Sequence, residues 1–183
     1  MEARTGWSAR DLTYTALMAV VIAVCSWVTI PIGAVPFTMQ TFGIFCALGL
    51  LGGMRGTVAV AVYVLIGALG APVFAGFAAG PSALASATGG YILGFVVTGL
   101  IYWPIAARAG GRWPVKALGM ALGLVGCYAF GTAWFMVLYA QTTGPIGLGT
   151  ALGWCVIPFV IPDLCKLALG LTLAERIRRH VRV

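Results

Sequence analysis

Long apolar stretches separated by short turns dominate the 183-residue chain. Charged residues fall almost entirely at the ends of these stretches, and crossing a membrane as a helix takes about 20 apolar residues. The pattern therefore predicts an all-α integral membrane protein with six transmembrane helices in a single membrane domain, residues 1–183. The predicted spans cover about residues 12–30, 38–51, 57–69, 88–107, 117–140 and 158–173.

The composition supports a membrane location, and this location affects how the positive net charge is interpreted. The chain is 61% hydrophobic and 8% charged, whereas a soluble domain is roughly half apolar and about a quarter charged. The net charge of +7 is placed at segment ends and in the C-terminal tail. Such placement is typical of topology signals and of contact with anionic lipid. We therefore expect membrane lipid, and no nucleic acid, around this protein.

The distribution of basic residues predicts the topology. Lysine or arginine occurs in the N-terminal segment, in the turn at Arg55, in the 108–116 loop and in the C-terminal tail. The other three loops carry none. Because basic loops stay in the cytoplasm, both termini are predicted to be cytoplasmic, and the charge-free loops are predicted to face outside.

The stretch 154–166 holds the charges that fit this pattern least. Asp163 and Lys166 lie within apolar sequence, and charges inside a membrane usually mark a functional site. Pro158 and Pro162 are predicted to break the helix before the pair, which places the charges on the first turn of the last helix, at the wall of a cavity. An alternative is structural: Asp163 caps the helix and Lys166 pairs with it across three residues.

Several kinds of chemistry are missing from the sequence. Neither Lys116 nor Lys166 follows a glycine-rich phosphate loop, so the chain is not expected to bind ATP. The one histidine, His180, lies in the basic tail, which argues against a membrane metal or haem site. One intramembrane carboxylate offers no pair for acid–base catalysis. We expect no enzyme activity, metal or cofactor; a cavity with a few polar groups suits a binding protein.

Two further features each leave two interpretations open. Ala19 and Ala23 are four residues apart on one helix face, where another helix could approach closely. That helix could belong to this chain or to a partner. The charge-free loop 70–83 is rich in glycine, alanine and aromatic residues. It could cover a pocket as a lid or lie in the membrane interface.

Five stretches of the chain resemble a known family. They are Val35–Thr41 (VPFTMQT), Gly52–Gly56 (GGMRG) with Tyr63, Gly67–Phe74 (GALGAPVF), Ala87–Phe95 (ATGGYILGF) and Pro158–Lys166 (PFVIPDLCK). In this order and spacing they resemble the biotin-specific substrate-binding (S) component of energy-coupling-factor (ECF) transporters, the BioY family.

The resemblance implies a function and partners. A member of this family captures biotin from outside across the bacterial inner membrane. Its expected partners are a transmembrane coupling protein and two ATPase subunits, which supply the energy. The resemblance also implies that Asp163 and Lys166 contact biotin, and that Ala19 and Ala23 meet the coupling protein.

The chemistry of biotin suggests roles for the site residues. We expect Asp163 to accept from a ureido N–H and Lys166 to pair with the carboxylate at the other end of the ligand. Their close spacing then requires a folded ligand or an extended lysine. Other candidates are Gln40, Thr88 and Tyr91 for hydrogen bonds, and Phe74, Phe77 and Trp134 for packing on the ring, with an interfacial anchor as the alternative for Trp134.

A second function stays open at this point. A secondary transporter for a small organic anion could work alone, with protonation of Asp163 as its coupling step. The two functions differ in their dependence on partner subunits. Uptake by this chain without any ATPase, abolished by a protonophore, would favour the secondary transporter.

Overall fold

The computed structural model describes residues 7–31, 35–108 and 112–180. The predictions that concern the first six residues, the turn at 109–111 and the last three residues lie outside these ranges. The helices of the described part are α1 (Ala9–Trp27), α2 (Gln40–Leu51), α3 (Gly53–Ala68), α4 (Gly80–Leu84), α5 (Gly89–Arg108), α6 (Trp113–Thr142), α7 (Leu148–Cys155) and α8 (Ile157–His180).

The helices agree with a multi-pass membrane protein. Within the described residues, α1, α5, α6 and α8 are long and apolar enough to cross a membrane, and α2 and α3 are shorter apolar helices. These six helices match the predicted spans in position. The last helix is longer than predicted, because α8 continues past residue 173 through the basic tail to His180.

Small residues allow the helices that build the site to approach closely. α5 packs against α6, α2 against α8, and α1 against α2 and α3. A Cβ added at Gly43 of α2 would lie 3.1 Å from the Cα of Ile22 in α1. A Cβ added at Gly170 of α8 would lie 3.3 Å from the backbone N of Cys46. Close backbone approach through small residues is typical of membrane helices, and it holds α8 beside α2.

A short hairpin joins α1 to α2. Strands β1 (Thr29–Ile30) and β2 (Phe37–Thr38) pair antiparallel, with Thr29 opposite Thr38 and Ile30 opposite Phe37. The sequence predicts an all-α fold, without this hairpin, and residues 32–34 between its strands lie outside the described part. β-branched and aromatic residues favour strands, and pairing satisfies backbone groups that have little access to water.

The prolines of the last helix act differently from the prediction. α8 begins at Ile157 and contains Pro162 in its interior. Pro158 falls in the first turn, where a missing N–H costs little, and membrane helices tolerate an interior proline. Asp163 and Lys166 therefore lie in the second and third turns, not in the first turn as predicted. Because Asp163 is inside the helix, it is not an N-cap.

The charge-free loops contain helical turns that the sequence did not predict. The segment after α6 includes α7, and loop 70–83 includes a 3-10 turn at Ala75–Phe77 and the start of α4. This loop lies against the end of α1. Trp27 donates from Nε1 to the carbonyl of Pro72 at 3.0 Å, and its ring stacks on Phe77 at 5.3 Å.

Candidate ligand-binding site

A cavity lies among the hairpin and helices α2, α5, α6, α7 and α8. Most of its wall is apolar, with a few polar side chains among the aromatic and aliphatic ones, which is typical of sites for small organic ligands. It is lined by Val35, Pro36, Thr38, Gln40, Thr41, Ala75, Thr88, Tyr91, Ile92, Phe95, Leu124, Cys127, Tyr128, Cys155, Phe159, Asp163 and Lys166.

Asp163 forms the centre of the polar part of the wall. Its Oδ1 accepts from Thr41 Oγ1 at 2.8 Å and from Lys166 Nζ at 2.9 Å, and its Oδ2 accepts from Tyr128 Oη at 2.7 Å. The residue is 4% exposed. Burying a carboxylate is costly unless it is paired and hydrogen-bonded. The donors from α2, α6 and α8 meet that requirement and fix the orientation of the carboxylate.

Lys166 has a second set of contacts on the hairpin. Its Nζ donates to the backbone carbonyl of Thr38 at 2.7 Å and lies 4.0 Å from the centroid of the Phe37 ring. An ammonium has three donors, and two of them are used by Asp163 and Thr38. The third remains for a group in the cavity. The ring of Phe37 also stacks with Phe159 at 6.5 Å, so an aromatic pair flanks the ammonium.

Gln40 presents a fixed amide to the cavity. The residue is 5% exposed and is the first residue of α2. Its Nε2 donates to Tyr63 Oη at 2.5 Å, and its Oε1 accepts from Thr38 Oγ1 at 3.1 Å. Both ends of the amide are therefore held by the protein before a ligand arrives.

Tyr91 and Thr88 form another part of the wall, at the start of α5. Tyr91 Oη lies 2.9 Å from Thr132 Oγ1, and Thr88 Oγ1 lies 3.3 Å from Ser86 Oγ. A Cβ added at Gly131 of α6 would lie 2.3 Å from the Tyr91 ring. Only glycine at 131 leaves room for the tyrosine, so α6 fixes the position of that ring.

Three aromatic candidates lie outside the cavity wall. Phe74 is buried and packs edge-on against Tyr63 at 5.6 Å. Trp134 donates from Nε1 to the carbonyl of Ser86 at 3.1 Å and covers Gly90, where an added Cβ would lie 2.3 Å from Trp134 Cβ. Phe77 stacks on α1, as described above. In this structure these rings support the helices and loops around the site.

Ala19 and Ala23 pack inside this chain. They are 4% and 7% exposed, and they belong to the buried face of α1 that contacts α2 and α3. The intramolecular alternative therefore describes their packing. That these two residues also meet a coupling protein stays a prediction.

Thr41 and Tyr128 are candidate site residues that the sequence pattern did not single out. Both side chains donate to Asp163. Thr41 ends the first of the five family-like stretches, which was the available signal. Tyr128 lies in the middle of α6, and a hydroxyl in the middle of a span was the signal for it, since such a group needs a partner.

An apolar cavity with a buried ion pair, inside a set of membrane-crossing helices, defines a membrane-embedded binding protein for a small organic ligand. The chain belongs to the BioY family, whose model matches residues 1–183.

Named relatives and a solved structure agree with this assignment. The chain is 36% identical to the biotin transporter BioY of Thermotoga maritima, over 93% of this chain and 96% of that protein. It is 33% identical to the probable biotin transporter BioY of Pyrococcus horikoshii, over 93% and 97%. The crystal structure of the S-component for biotin from an ECF-type ABC transporter superposes with a TM-score of 0.81 at 25% identity, over 95% of both chains.

Proposed function

We propose that this chain is the substrate-binding membrane subunit of a vitamin uptake transporter and captures biotin from outside. Partner subunits, a transmembrane coupling protein and two ATPase subunits, then drive the import. The observation that carries the proposal is the buried Asp163–Lys166 pair in the wall of an apolar cavity, in a chain whose family members are named biotin transporters. The chain itself is a binding protein and not an enzyme.

The geometry of the ion pair suggests which part of biotin it meets. Asp163 and Lys166 are in direct contact at 2.9 Å, so they face the same part of an extended ligand and not its opposite ends. An acceptor beside a donor matches the neighbouring N–H and C=O of the ureido group. The pair is also neutral as a whole, so a neutral group completes it without adding an unpaired buried charge. We therefore assign the ureido group to this pair.

The rest of the cavity can then hold the other parts of biotin. The aliphatic and aromatic wall suits the thioether ring and the hydrocarbon chain. Gln40, Thr88 and Tyr91 supply further polar contacts, and Phe74 and Trp134 support the wall from behind. The carboxylate would lie toward the opening, where water can solvate it.

Biotin binding by purified protein in detergent tests the site. We expect Asp163→Asn and Lys166→Ala each to weaken binding strongly, as measured by isothermal titration calorimetry. If both variants keep the wild-type affinity, the site assignment is wrong. Biotinamide, which lacks the carboxylate charge, separates the two orientations. Near-equal wild-type affinity for biotin and biotinamide supports the ureido assignment, whereas a large loss for biotinamide would return Lys166 to the carboxylate.

We also propose the arrangement in the membrane. α1, α2, α3, α5, α6 and α8 are the six crossings of a single domain, with both termini cytoplasmic in the bacterial inner membrane. Basic side chains at Arg55, Lys116 and Arg178 mark one end of the helices, and the cavity is built from segments near the charge-free loops. Labelling single cysteines introduced at the ends of the helices with a membrane-impermeant maleimide on intact cells tests this orientation. Labelling of the cytoplasmic ends would contradict it.

Transport assays separate this function from that of a transporter that works alone. We expect biotin uptake to require the partner ATPase subunits and to continue when a protonophore is added while ATP is maintained. Uptake by this chain without the ATPase subunits, abolished by a protonophore, would contradict the proposal.

A further inference from the structure

Gln40 is joined to a buried tyrosine outside the cavity wall. Its Nε2 donates to the hydroxyl of Tyr63, which is 1% exposed and is not part of the cavity wall.

The contacts at the two ends of the amide define its orientation. The nitrogen donates to Tyr63, and the oxygen accepts from Thr38 Oγ1 at 3.1 Å. An amide oxygen has two lone pairs, so Oε1 can accept a second hydrogen bond from a group in the cavity.

We propose that Tyr63 is a positioning residue that locks the orientation of the Gln40 amide, so that Gln40 offers its oxygen to the cavity and selects a ligand N–H. This inference rests on the proposed function and deepens it. Biotin has two ureido N–H groups. Asp163 takes one of them, and Gln40 Oε1 takes the other.

The surroundings of Tyr63 keep its hydroxyl in place. Phe74 packs edge-on against the tyrosine ring at 5.6 Å. Phe74 itself fits against Gly67 of α3, where an added Cβ would lie 2.1 Å from the phenylalanine ring. This packing holds the tyrosine ring, and with it the position of the hydroxyl, beside Gln40. Phe74 thereby acts on the ligand through Tyr63 and Gln40, without contact with the cavity.

The first test needs no ligand. Melting temperatures are measured for the wild type, Tyr63→Phe, Gln40→Ala and the double variant. We expect the two changes to be non-additive: once Gln40 is alanine, Tyr63→Phe lowers the melting temperature by clearly less than it does in the wild type, because the bond is already lost. Additive changes in melting temperature would overturn the inference that the two side chains are bonded.

The second test measures selectivity, which a merely structural role would not change. The probes are biotin and the two biotins methylated on one ureido nitrogen. We expect the wild type to discriminate against one of the methylated biotins through Gln40. Tyr63→Phe frees the amide to rotate and reduces that discrimination by roughly tenfold, the effect of losing one oriented hydrogen bond. Tyr102→Phe is the matched control, because Tyr102 is equally buried at 1% exposed and lies away from this cavity.

The outcomes separate the two proposals. If Tyr63→Phe weakens the binding of biotin and of the methylated biotins by the same factor, or changes neither, Tyr63 does not position Gln40 for selection. If the wild type binds no biotin, the proposed function fails, and so does the assignment of a ureido N–H to Gln40. The melting-temperature cycle still decides whether Tyr63 holds Gln40.

Discussion

Two lysine–carboxylate pairs have their carboxylates on α8, and the two pairs have different surroundings. Lys166 pairs with Asp163 within one helix, and hydroxyls from α2 and α6 also reach the carboxylate. Lys116 at the start of α6 pairs with Glu175 near the other end of α8. The Asp163 side chain is 5% exposed, whereas that of Glu175 is 29% exposed.

The difference indicates which of the two pairs is suited to bind a ligand. The Asp163–Lys166 pair has converging donors, an aromatic ring beside the ammonium and an apolar cavity in front of it. The Lys116–Glu175 pair lies among the basic residues of the helix ends and joins α6 to α8. A buried ion pair alone is weak evidence for stability or for function. The groups that surround it decide between a ligand site and a structural link.

The largest effect on biotin affinity should come from replacing Lys166, and the lysine of the other pair provides the control. Lys166→Met removes the donor in the cavity and leaves Asp163 without its counter-ion, so biotin affinity should fall on the order of 100-fold or more. Lys116→Met is the matched control and should leave affinity within about twofold of the wild type, since a site this distant couples weakly. Isothermal titration calorimetry of both variants measures this. An equal loss of affinity in the two variants would remove the functional distinction between the pairs.

A smaller effect should come from the hydroxyls around Asp163. Thr41→Val and Tyr128→Phe each remove one donor with little change in shape, and biotin affinity should fall about five- to tenfold in each. The carboxylate loses part of its fixed orientation in both variants. Thr98→Val is a control, because its buried hydroxyl donates to the carbonyls of Gly94 and Gly123 and is not part of the cavity wall. An unchanged affinity in both Thr41→Val and Tyr128→Phe would mean that orientation of the carboxylate does not matter for binding.

The ring beside Lys166 should matter less. Phe37→Leu keeps an apolar side chain on β2 and removes the cation–π contact, so biotin affinity should fall about two- to fivefold. Competition against labelled biotin is sensitive enough to measure this change. A gain in affinity would show that the ring competes with the ligand for the ammonium.

The smallest effect on binding should come from the structural pair. Glu175→Gln should lower the melting temperature by about 2–4 °C, since a partly exposed ion pair contributes ~1 kcal/mol or less. Biotin affinity should stay unchanged. Thermal unfolding followed by intrinsic fluorescence, with and without biotin, gives both quantities. A loss of affinity without a loss of stability would assign Glu175 to the site.

The sequence was sufficient to find the charged centre of the candidate site and most of the helices. Asp163 and Lys166 were the charges in the middle of apolar sequence, and the cost of burying charge is large enough to be visible without a structure. The positions of the long spans followed from apolar length in the same way.

Details that depend on neighbouring helices were not predictable from the pattern. The position of Pro162 inside α8 depends on packing that compensates for the missing hydrogen bond. Phe74 and Trp134 lie near the site along the chain, but the direction of a side chain is set by what it packs against. The spacing of Ala19 and Ala23 predicts a close contact with another helix. Only the fold shows that α1 makes such a contact within the chain.

The most direct test of the central claim is native mass spectrometry of the protein purified from cells supplied with biotin. We predict that the wild type carries one biotin per chain, that Lys116→Met retains it, and that Lys166→Met has lost it. A wild type that carries a different small molecule, or a Lys166→Met variant that retains biotin as fully as the wild type, would contradict the claim that the Asp163–Lys166 cavity is a biotin site.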